Sequence, residues 1–322
     1  MKRGISSVRM LVAIFIFALF EGGGSVAVGA TEAVETDPVV FTLEPSTHGN
    51  PEGVAFDRRT GAFFVGTVGD GTIYRGTLDH PTATPFIPGA SGKSAAGMKV
   101  SHGKLYVAGA ATGILSVFDL ATKQPIASFD TGAGGFLNDL VVTKTGDVFV
   151  TDSFRPTLWH VTAAQVAAGS GTPEAIPVGP EIQYEAGAFN LNGIVAQKGG
   201  RELIVVQTSS GKLFRIDITP GTPTGRTIQP INVEPLVGGD GLLLDRGRLI
   251  VIQGVPPTLA FVQLRQGGLA GTVVARRTDP TLRGPSTIAR ARDLYLVVNA
   301  DFATSTPPFT VSGLPVEADD EE

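Results

Sequence analysis

Short apolar segments recur along the chain, each bounded by Gly, Asp, Asn, Pro or Thr, whereas long amphipathic helical patterns are nearly absent. Apolar runs of this length with turn-forming residues at their ends are typical of β-strands. One arrangement returns six times: a marker residue, a small or turn-forming residue, and then an apolar run. The six markers are Glu52, Ala96, Asn138, Asn192, Asp240 and Ser286.

The spacing of the markers predicts the fold. Consecutive markers lie about 42 to 54 residues apart, which is the length of one four-stranded propeller blade. A unit of a few strands cannot bury both of its faces alone, whereas six units arranged radially can. We therefore expect an all-β, six-bladed β-propeller in a single domain. Two sandwich domains would match the number of strands but would not explain one phase repeated six times.

The two ends of the repeat region each leave one apolar run without a unit of its own. Val39–Leu43 precedes the first marker, and Phe309–Leu314 follows the sixth unit. Because a closed ring has no long unpaired edge, we expect these N- and C-terminal strands to complete the last blade together.

The longest irregular stretch lies between Val161 and Leu191. Thr162–Ala168 is a candidate short helix with Thr162 as its N-cap. The Pro- and Gly-rich segment that follows runs through Phe189 directly into the fourth marker. It is either a rim loop over the pocket or a simple connector.

The N-terminus has the pattern of an export signal. Lys2, Arg3 and Arg9 precede or open a short apolar run, and a small-residue stretch ends at Ala30. The run is too short to span a bilayer comfortably. This predicts a signal peptide over residues 1–30, with an uncleaved anchor as the alternative. The mature protein is expected to be secreted or extracytoplasmic, with the propeller over 31–316 and an acidic disordered tail over 317–322.

Composition limits the partners. The net charge is −5, only 17% of the residues are charged, and no basic cluster occurs outside the N-terminus. This argues against nucleic-acid binding. The chain has no cysteine, so disulfide bonds cannot stabilise an exported protein of this sequence. We expect a monomer without a stable membrane span after signal cleavage.

Four markers carry a carboxylate or amide oxygen and are the candidate metal ligands. Equivalent positions in a propeller surround one end of the central tunnel, so Glu52, Asn138, Asn192 and Asp240 are predicted to meet there. Two carboxylates and two amides suit a hard divalent cation, most of all Ca²⁺. Mg²⁺, Mn²⁺ and Zn²⁺ are the other possibilities. The alternative is that Asn-Asp, Asn-Gly and Asp-Gly are ordinary turn dipeptides.

The motifs around these markers resemble those of the senescence-marker-protein/gluconolactonase family of six-bladed propellers. That family includes regucalcin-type lactonases and is related to diisopropylfluorophosphatase and paraoxonase. The resemblance covers essentially all of the mature chain. The motifs are PEGVAFD at 51–57, LNDLVV at 137–142, LNGIVA at 191–196 and GDGLLLD at 239–245.

The resemblance implies a function and a role for each residue. In the family, the residues that match the four candidate ligands hold a divalent cation, usually calcium. Asp240 matches the proposed general base or nucleophile, while Asn138 and Asn192 would fix the ion and orient substrate. Ser286, at the sixth ring position, is a further candidate for substrate binding. The implied activity is metal-dependent hydrolysis of a small-molecule lactone or ester.

The chain also departs from related families. The second and sixth ring positions hold Ala96 and Ser286, and the histidine pair of paraoxonases has no evident match, although His48 is close enough to Glu52 to reach the rim. Two other functions therefore stay open: a secreted binding propeller with a structural metal, and a recruited propeller that catalyses a non-hydrolytic reaction. Minor candidates for the pocket are Lys93, Met98, Asp152, Gln207, Gln253 and Asn299.

Overall fold

The computed structural model describes residues 37–219 and 227–316. The predicted signal peptide over 1–30 and the predicted tail over 317–322 lie outside the described residues. Within these ranges nearly all regular structure is β, with one α-helix and two short 3-10 helices, Lys198–Gly200 and Gln266–Gly268. No helix in this part of the chain is both long and apolar enough to cross a membrane.

The strands follow one another in the order that the repeat predicts. β1 (Val39–Leu43) precedes the first repeat. The first repeat contains β2 (Pro51–Asp57), β3 (Ala62–Thr67), β4 (Ile73–Thr77) and β5 (Thr82–Ile87). The second contains β6 (Met98–Ser101), β7 (Lys104–Ala108), β8 (Ile114–Asp119) and β9 (Pro125–Asp130). The third contains β10 (Leu137–Val142), β11 (Val148–Asp152), β12 (Thr157–Val161) and β13 (Glu174–Pro177).

The second half repeats this plan. The fourth repeat contains β14 (Leu191–Gln197), β15 (Glu202–Gln207), β16 (Lys212–Asp217) and β17 (Ile228–Pro230). The fifth contains β18 (Gly239–Asp245), β19 (Arg248–Gln253), β20 (Thr258–Arg265) and β21 (Ala270–Arg277). The sixth contains β22 (Pro285–Ala291), β23 (Leu294–Asn299) and β24 (Thr310–Pro315).

The first strand of the chain completes the sixth blade. β1 pairs antiparallel with β24, with Phe41 opposite Val311, so this blade has the order β22-β23-β24-β1. β1 also pairs in parallel with β5, with Thr42 opposite Thr82, which joins the first and last blades at their outer edges. The protein is a six-bladed β-propeller, and the predicted closure by both chain ends is confirmed.

The hydrophobic core lies between neighbouring blades rather than inside any one of them. Phe64 and Ile73 of the first blade, for example, pack with Met98 and Leu105 of the second, and all four are at most 2% exposed. Equivalent clusters fill the other five interfaces. Because each blade buries both faces against its neighbours, the fold depends on the complete ring.

Innermost strands carry a β-bulge at the marker in five of the six blades. The register of β2 shifts between Pro51 and Val54, and the strands β10, β14, β18 and β22 shift at the same place. A bulge takes a residue out of the regular ladder and redirects its side chain. The second blade, whose marker is Ala96, has no such shift in the short strand β6.

Glycine follows the marker in three of these bulges because neighbouring inner strands approach closely. A Cβ atom on Gly53 would lie 2.0 Å from the carbonyl oxygen of Ala96, and one on Gly193 would lie 2.2 Å from that of Asp240. Neither glycine has a positive φ. The Glu-Gly, Asn-Gly and Asp-Gly pairs therefore lie in strands, and the turn interpretation of Asn192 and Asp240 is not supported.

The insertion in the third blade contains the predicted helix, α1 (Ala163–Ala168). The Thr162 hydroxyl accepts a hydrogen bond from the backbone N–H of Gln165, whose side chain accepts one in return from the backbone N–H of Thr162. This capping box satisfies two amide groups that the helix itself leaves unpaired, and the prediction of Thr162 as N-cap is confirmed.

Candidate functional site

One cavity lies at the end of the ring where the inner strands begin, with a volume of about 830 Å³. The markers of the first, third, fourth and fifth blades all line it. The structure thus brings together the four predicted metal ligands, which are Glu52, Asn138, Asn192 and Asp240. They come from strands far apart in sequence, and the bulges direct their side chains to a common place.

Each of the four presents a buried oxygen that has no hydrogen-bond partner. These atoms are Glu52 Oε2, Asn138 Oδ1, Asn192 Oδ1 and Asp240 Oδ1. Among the described residues they make up four of the six buried side-chain polar atoms without a partner. An unpaired buried polar atom costs roughly 1–3 kcal/mol. Four such atoms lining one cavity indicate a site built to bind a ligand.

A hydrogen-bond chain fixes the orientation of the Asn138 amide. Its Nδ2 donates to the Ser153 hydroxyl oxygen at 3.0 Å, and that hydroxyl donates its own hydrogen to the carbonyl oxygen of Leu191 at 2.7 Å. The hydroxyl has already used its only hydrogen and must act as an acceptor towards the asparagine. The amide nitrogen therefore faces Ser153, and Oδ1 is free to act as a ligand.

The same chain occurs one blade further round the ring. Asn192 Nδ2 donates to the Thr208 hydroxyl at 3.1 Å, and this hydroxyl donates to the carbonyl oxygen of Gly239 at 2.7 Å. Two amides with an identical arrangement of donor, hydroxyl and carbonyl are held so that each leaves one oxygen unpaired. The fold thus selects oxygen, and not nitrogen, as the group available for binding.

The two acids of the cavity are strongly perturbed. Burial raises the pKa of Glu52 well above its usual range, the carboxylates of Asp240 and Asp139 raise it further, and Lys99 opposes the change. Burial, followed by the charge of Asp139, raises the pKa of Asp240 to about 8, with Asn192 acting in the opposite direction. Because Lys99 is paired with Asp139, ionisation of both Glu52 and Asp240 at neutral pH is unfavourable without a further positive charge. A bound cation would supply that charge.

Asp139 and Lys99 form an ion pair beside this site that the sequence analysis missed. The Asp139 side chain is 1% exposed, and its Oδ1 lies 2.9 Å from Lys99 Nζ and accepts the backbone N–H of Leu140. Asp139 follows its marker at the position that glycine occupies in three other bulges. This difference was the only feature of the sequence that pointed to Asp139. Its carboxylate already has partners, so it differs from the four unpaired oxygens.

Ser286 does not line the cavity. It is 1% exposed, and its hydroxyl donates to the backbone carbonyl of Glu52 at 2.7 Å, as does the hydroxyl of Thr287. The structure therefore places Ser286 where it supports the backbone of Glu52, instead of where it would meet substrate. Ala96, at the second ring position, is fully buried.

Of the other predicted pocket residues, one lines the cavity and the rest do not. Lys93 lines the cavity. His48 does not, because its Nδ1 lies 2.7 Å from Asp70 and 3.0 Å from the Thr72 hydroxyl. None of the remaining minor candidates is among the lining residues, and these are Met98, Asp152, Gln207, Gln253 and Asn299.

The mouth of the cavity is apolar, which the sequence analysis also missed. Phe136, Phe189 and Phe302 line it, together with small side chains such as Ala110 and Ala111. The predicted rim loop carries Phe189 to this place. Because the phenylalanines lie in irregular segments just outside the strands, no periodic pattern in the sequence marks them.

The donor set defines what the site can bind. No group of three or more His, Cys, Asp or Glu side chains within residues 37–219 and 227–316 is arranged to hold a metal ion. The four unpaired oxygens consist instead of two carboxylates and two amides, without nitrogen or sulfur. This set fits an oxygen-preferring cation that completes its coordination with water or substrate, as Ca²⁺ does.

Solved structures that share the fold include those of three proteins. Regucalcin from Agrobacterium tumefaciens, described as a calcium-binding protein, has a TM-score of 0.60 and 18% identity over 85% of this chain and 92% of its own. Virginiamycin B lyase from Staphylococcus aureus has a TM-score of 0.60 and 10% identity over 87% and 99%. Hydrazine synthase from Kuenenia stuttgartiensis has a TM-score of 0.56 and 14% identity over 84% of each chain.

All three likenesses are of fold. At these identities they indicate the propeller architecture, and they are evidence neither for an activity nor for a ligand. A scan against protein-family models finds no match, and a search of curated proteins finds none. Any functional conclusion therefore depends on the residues of the cavity.

Proposed function

We propose that the protein is an extracytoplasmic hydrolase of lactones or related esters that uses a divalent cation, with Ca²⁺ as the expected ion. The observation that carries this proposal is the set of four buried, unpaired oxygens on Glu52, Asn138, Asn192 and Asp240. The four motifs that resemble the gluconolactonase family support it, and the fold shared with regucalcin is compatible with it.

The four oxygens would hold the cation at the inner end of the cavity. Glu52 and Asp240 would contribute the negative charge, and the two amide oxygens would complete the protein's share of the coordination. When bound, a divalent cation polarises a carbonyl group and offsets the charge that develops on its oxygen. It would also favour the ionised forms of both acids.

Asp240 is the residue proposed to act on the attacking water. As a carboxylate it would accept a proton from water as the new bond to the carbonyl carbon forms, and it would return that proton to the leaving oxygen. Burial raises the pKa of Asp240 to about 8 in the metal-free protein, so the charge of the cation would be needed to keep Asp240 ionised and able to accept a proton. Asn138 and Asn192 would keep the carbonyl in place.

A non-catalytic binding propeller is the second candidate. The apolar mouth, with Phe189 and Phe302 44% and 53% exposed, would retain a ligand equally well in a protein that does no chemistry. In that case the cation would stabilise the ring and the ligand would leave unchanged.

One experiment separates the two candidates. The purified protein is analysed for bound metal and assayed against a panel of sugar, alkyl and aryl lactones, with and without a chelator. Hydrolysis that stops on chelation and returns with Ca²⁺ supports the first candidate. Tightly bound metal with no turnover of any lactone or ester would favour the second candidate, and absence of metal affinity would contradict both.

Replacing Thr208 by Val is expected to weaken Ca²⁺ binding roughly tenfold, because partners that orient metal ligands typically contribute 10–100-fold. The substitution keeps the shape of the side chain but removes the hydroxyl that accepts the Asn192 amide. Isothermal titration with Ca²⁺ measures the change. Thr208→Ser keeps the hydroxyl and is the matched control. Equal affinity in the Val variant and the wild type would show that this hydrogen bond does not orient a ligand.

The stability of the metal-free protein should depend on pH in the opposite sense to that of an ordinary ion-paired protein. Folded Asp240 has a pKa of about 8, against 3.8 without the fold's influence, so the fold retains a proton that the unfolded chain releases. Stability is therefore lost as the pH rises from about 4 to 8. Between pH 5 and 8 we expect the Tm in chelator to fall by roughly 5–10 °C relative to the Ca²⁺-loaded protein.

Differential scanning calorimetry in chelator and in Ca²⁺ provides the measurement. Asp240→Asn removes one of the two perturbed acids, so the difference between the two Tm curves should become smaller in this variant, whereas the contributions of Glu52 and of any histidine would remain. A chelated wild-type protein whose Tm is the same at pH 5 and pH 8 would contradict the raised pKa.

A further inference from the structure

The mouth of the cavity contains a cluster of three phenylalanines in mutual contact. The ring centroids of Phe136 and Phe154 lie 5.6 Å apart, those of Phe136 and Phe189 5.2 Å, and those of Phe154 and Phe189 5.1 Å. Phe136 and Phe189 line the cavity, and Phe302 lines it from the sixth blade.

These rings are unusually exposed for their type. Phe189 is 44% exposed and Phe302 53%, and the third exposed phenylalanine in the described part of the chain, Phe154 at 45%, packs against Phe136 and Phe189. Large exposed apolar patches next to a cavity mark binding sites more often than chance would place them. The core between the blades is complete without these rings, so their position needs another explanation.

The cluster is held in place before any ligand arrives. The buried carboxylate of Asp152 accepts the backbone N–H groups of Phe136 at 3.0 Å and of Phe154 at 3.1 Å. Its second oxygen accepts Arg155 Nε at 2.7 Å. Asp152 therefore fixes two of the three phenylalanine backbones, and it is a positioning residue at the edge of the site.

The third ring has its own support. The Asn190 side chain, 1% exposed, accepts the backbone N–H of Glu185 at 2.8 Å and donates to the carbonyl oxygen of Ala188 at 2.9 Å. These bonds close the loop on both sides of Phe189. An apolar surface that is ordered in advance binds without the entropic cost of arranging its side chains.

From these features we infer that the substrate of the proposed site is a lactone or ester with an extended alkyl or aryl group, and not a polyhydroxylated sugar lactone. This inference rests on the proposed function. The reacting carbonyl would lie against the four oxygens, and the apolar group would contact Phe136, Phe189 and Phe302. Lys93, Ser94 and Thr112 are polar parts of the lining, but the three rings would leave the hydroxyl groups of a sugar lactone that face them without a hydrogen bond. The cavity, at about 830 Å³, has room for both parts.

The test uses two matched series of probes, with Ca²⁺ saturating throughout. The first is a set of γ-lactones whose alkyl substituent grows from methyl to octyl, with glucono-1,5-lactone for comparison. The second is the corresponding set of 5-alkyl-2-pyrrolidinones, which are not hydrolysed and report binding alone by calorimetry. We expect kcat/KM in the first series and affinity in the second to rise about fourfold for each methylene that contacts the rings.

Variants of the rings assign the effect to the cluster. Phe189→Ala should lower the ratio of octyl to methyl affinity about tenfold, while Phe189→Leu, which keeps an apolar side chain, should retain most of it. Phe302→Ala tests the opposite side of the mouth. Val274→Ala on the outer strand β21, 48% exposed and outside the cavity, is the control. Calcium affinity of each variant reports whether the ring of oxygens is intact.

The outcomes separate this inference from the proposed function. Lactams that bind more tightly with chain length, in a protein that hydrolyses no lactone, would support the apolar site and refute the hydrolase. Turnover that is indifferent to chain length, or fastest with the sugar lactone, would refute the apolar preference and leave the hydrolase. If lactam affinity does not depend on alkyl chain length and no lactone is hydrolysed, both the apolar preference and the hydrolase are refuted.

Discussion

Asp240→Asn is expected to reduce kcat for the best lactone by about 10³-fold or more at saturating Ca²⁺. The substitution preserves the size of the side chain and one oxygen that can act as a ligand, but it removes the group proposed to accept the proton of water. General bases typically contribute 10²- to 10⁴-fold. The loss of charge beside Glu52 should also weaken Ca²⁺ binding, so the assay must be made at several metal concentrations.

The matched control is Asp79→Asn, at an exposed turn residue whose side chain is 75% accessible. It removes the same charge from the chain and should leave both turnover and metal affinity unchanged. If Asp240→Asn retained near wild-type kcat with Ca²⁺ bound, Asp240 would be only a ligand, and the base would have to be sought elsewhere in the cavity.

Gly193→Ala is expected to destabilise the protein by about 3 kcal/mol or more. Its Cβ would lie 2.2 Å from the carbonyl oxygen of Asp240 and 2.7 Å from the backbone nitrogen of Leu242. Both are main-chain atoms of the next blade and cannot move aside as a side chain would. Overpacking of this kind typically costs 1–3 kcal/mol, occasionally more, and a Tm lower by roughly 6–12 °C would follow.

Gly179→Ala provides the comparison, because a Cβ at this position would meet nothing within 4 Å and Gly179 does not have a positive φ. Its Tm should stay within about 2 °C of the wild type. Thermal melts with and without Ca²⁺ would also show whether Gly193→Ala loses metal affinity, since the clash separates the strands that carry Asn192 and Asp240. A Gly193→Ala protein as stable as the wild type would contradict the close approach.

The architecture could be predicted because the sequence repeats one arrangement six times. Six copies of one arrangement share a phase, and only a closed ring lets each copy bury both faces. The same reasoning identified Val39–Leu43 as a strand of the last blade, since an unpaired run at each end requires a partner. The short helix with Thr162 as its N-cap could be predicted because capping is a local interaction.

The four ring oxygens could be predicted because the position of a marker in its unit determines its position in the propeller. Features that depend on side-chain direction could not. Whether Ser286 faces the cavity or the Glu52 carbonyl is decided by the bulge of β22, and Asp139 pairs with Lys99 across two blades. The phenylalanine cluster depends on how three irregular segments fold around Asp152. No periodic pattern in the sequence predicts that arrangement.

The outer strand β1 has a consequence for the order of events during folding. β1 is synthesised before the other strands of the propeller, yet its antiparallel partner β24 is synthesised after all of them. The sixth blade therefore cannot be completed until β24 has been synthesised, and until then β1 has only its parallel partner β5. A chain shortened before β24 would lack the strand that pairs with both β1 and β23, so β1 would lose its connection to the sixth blade.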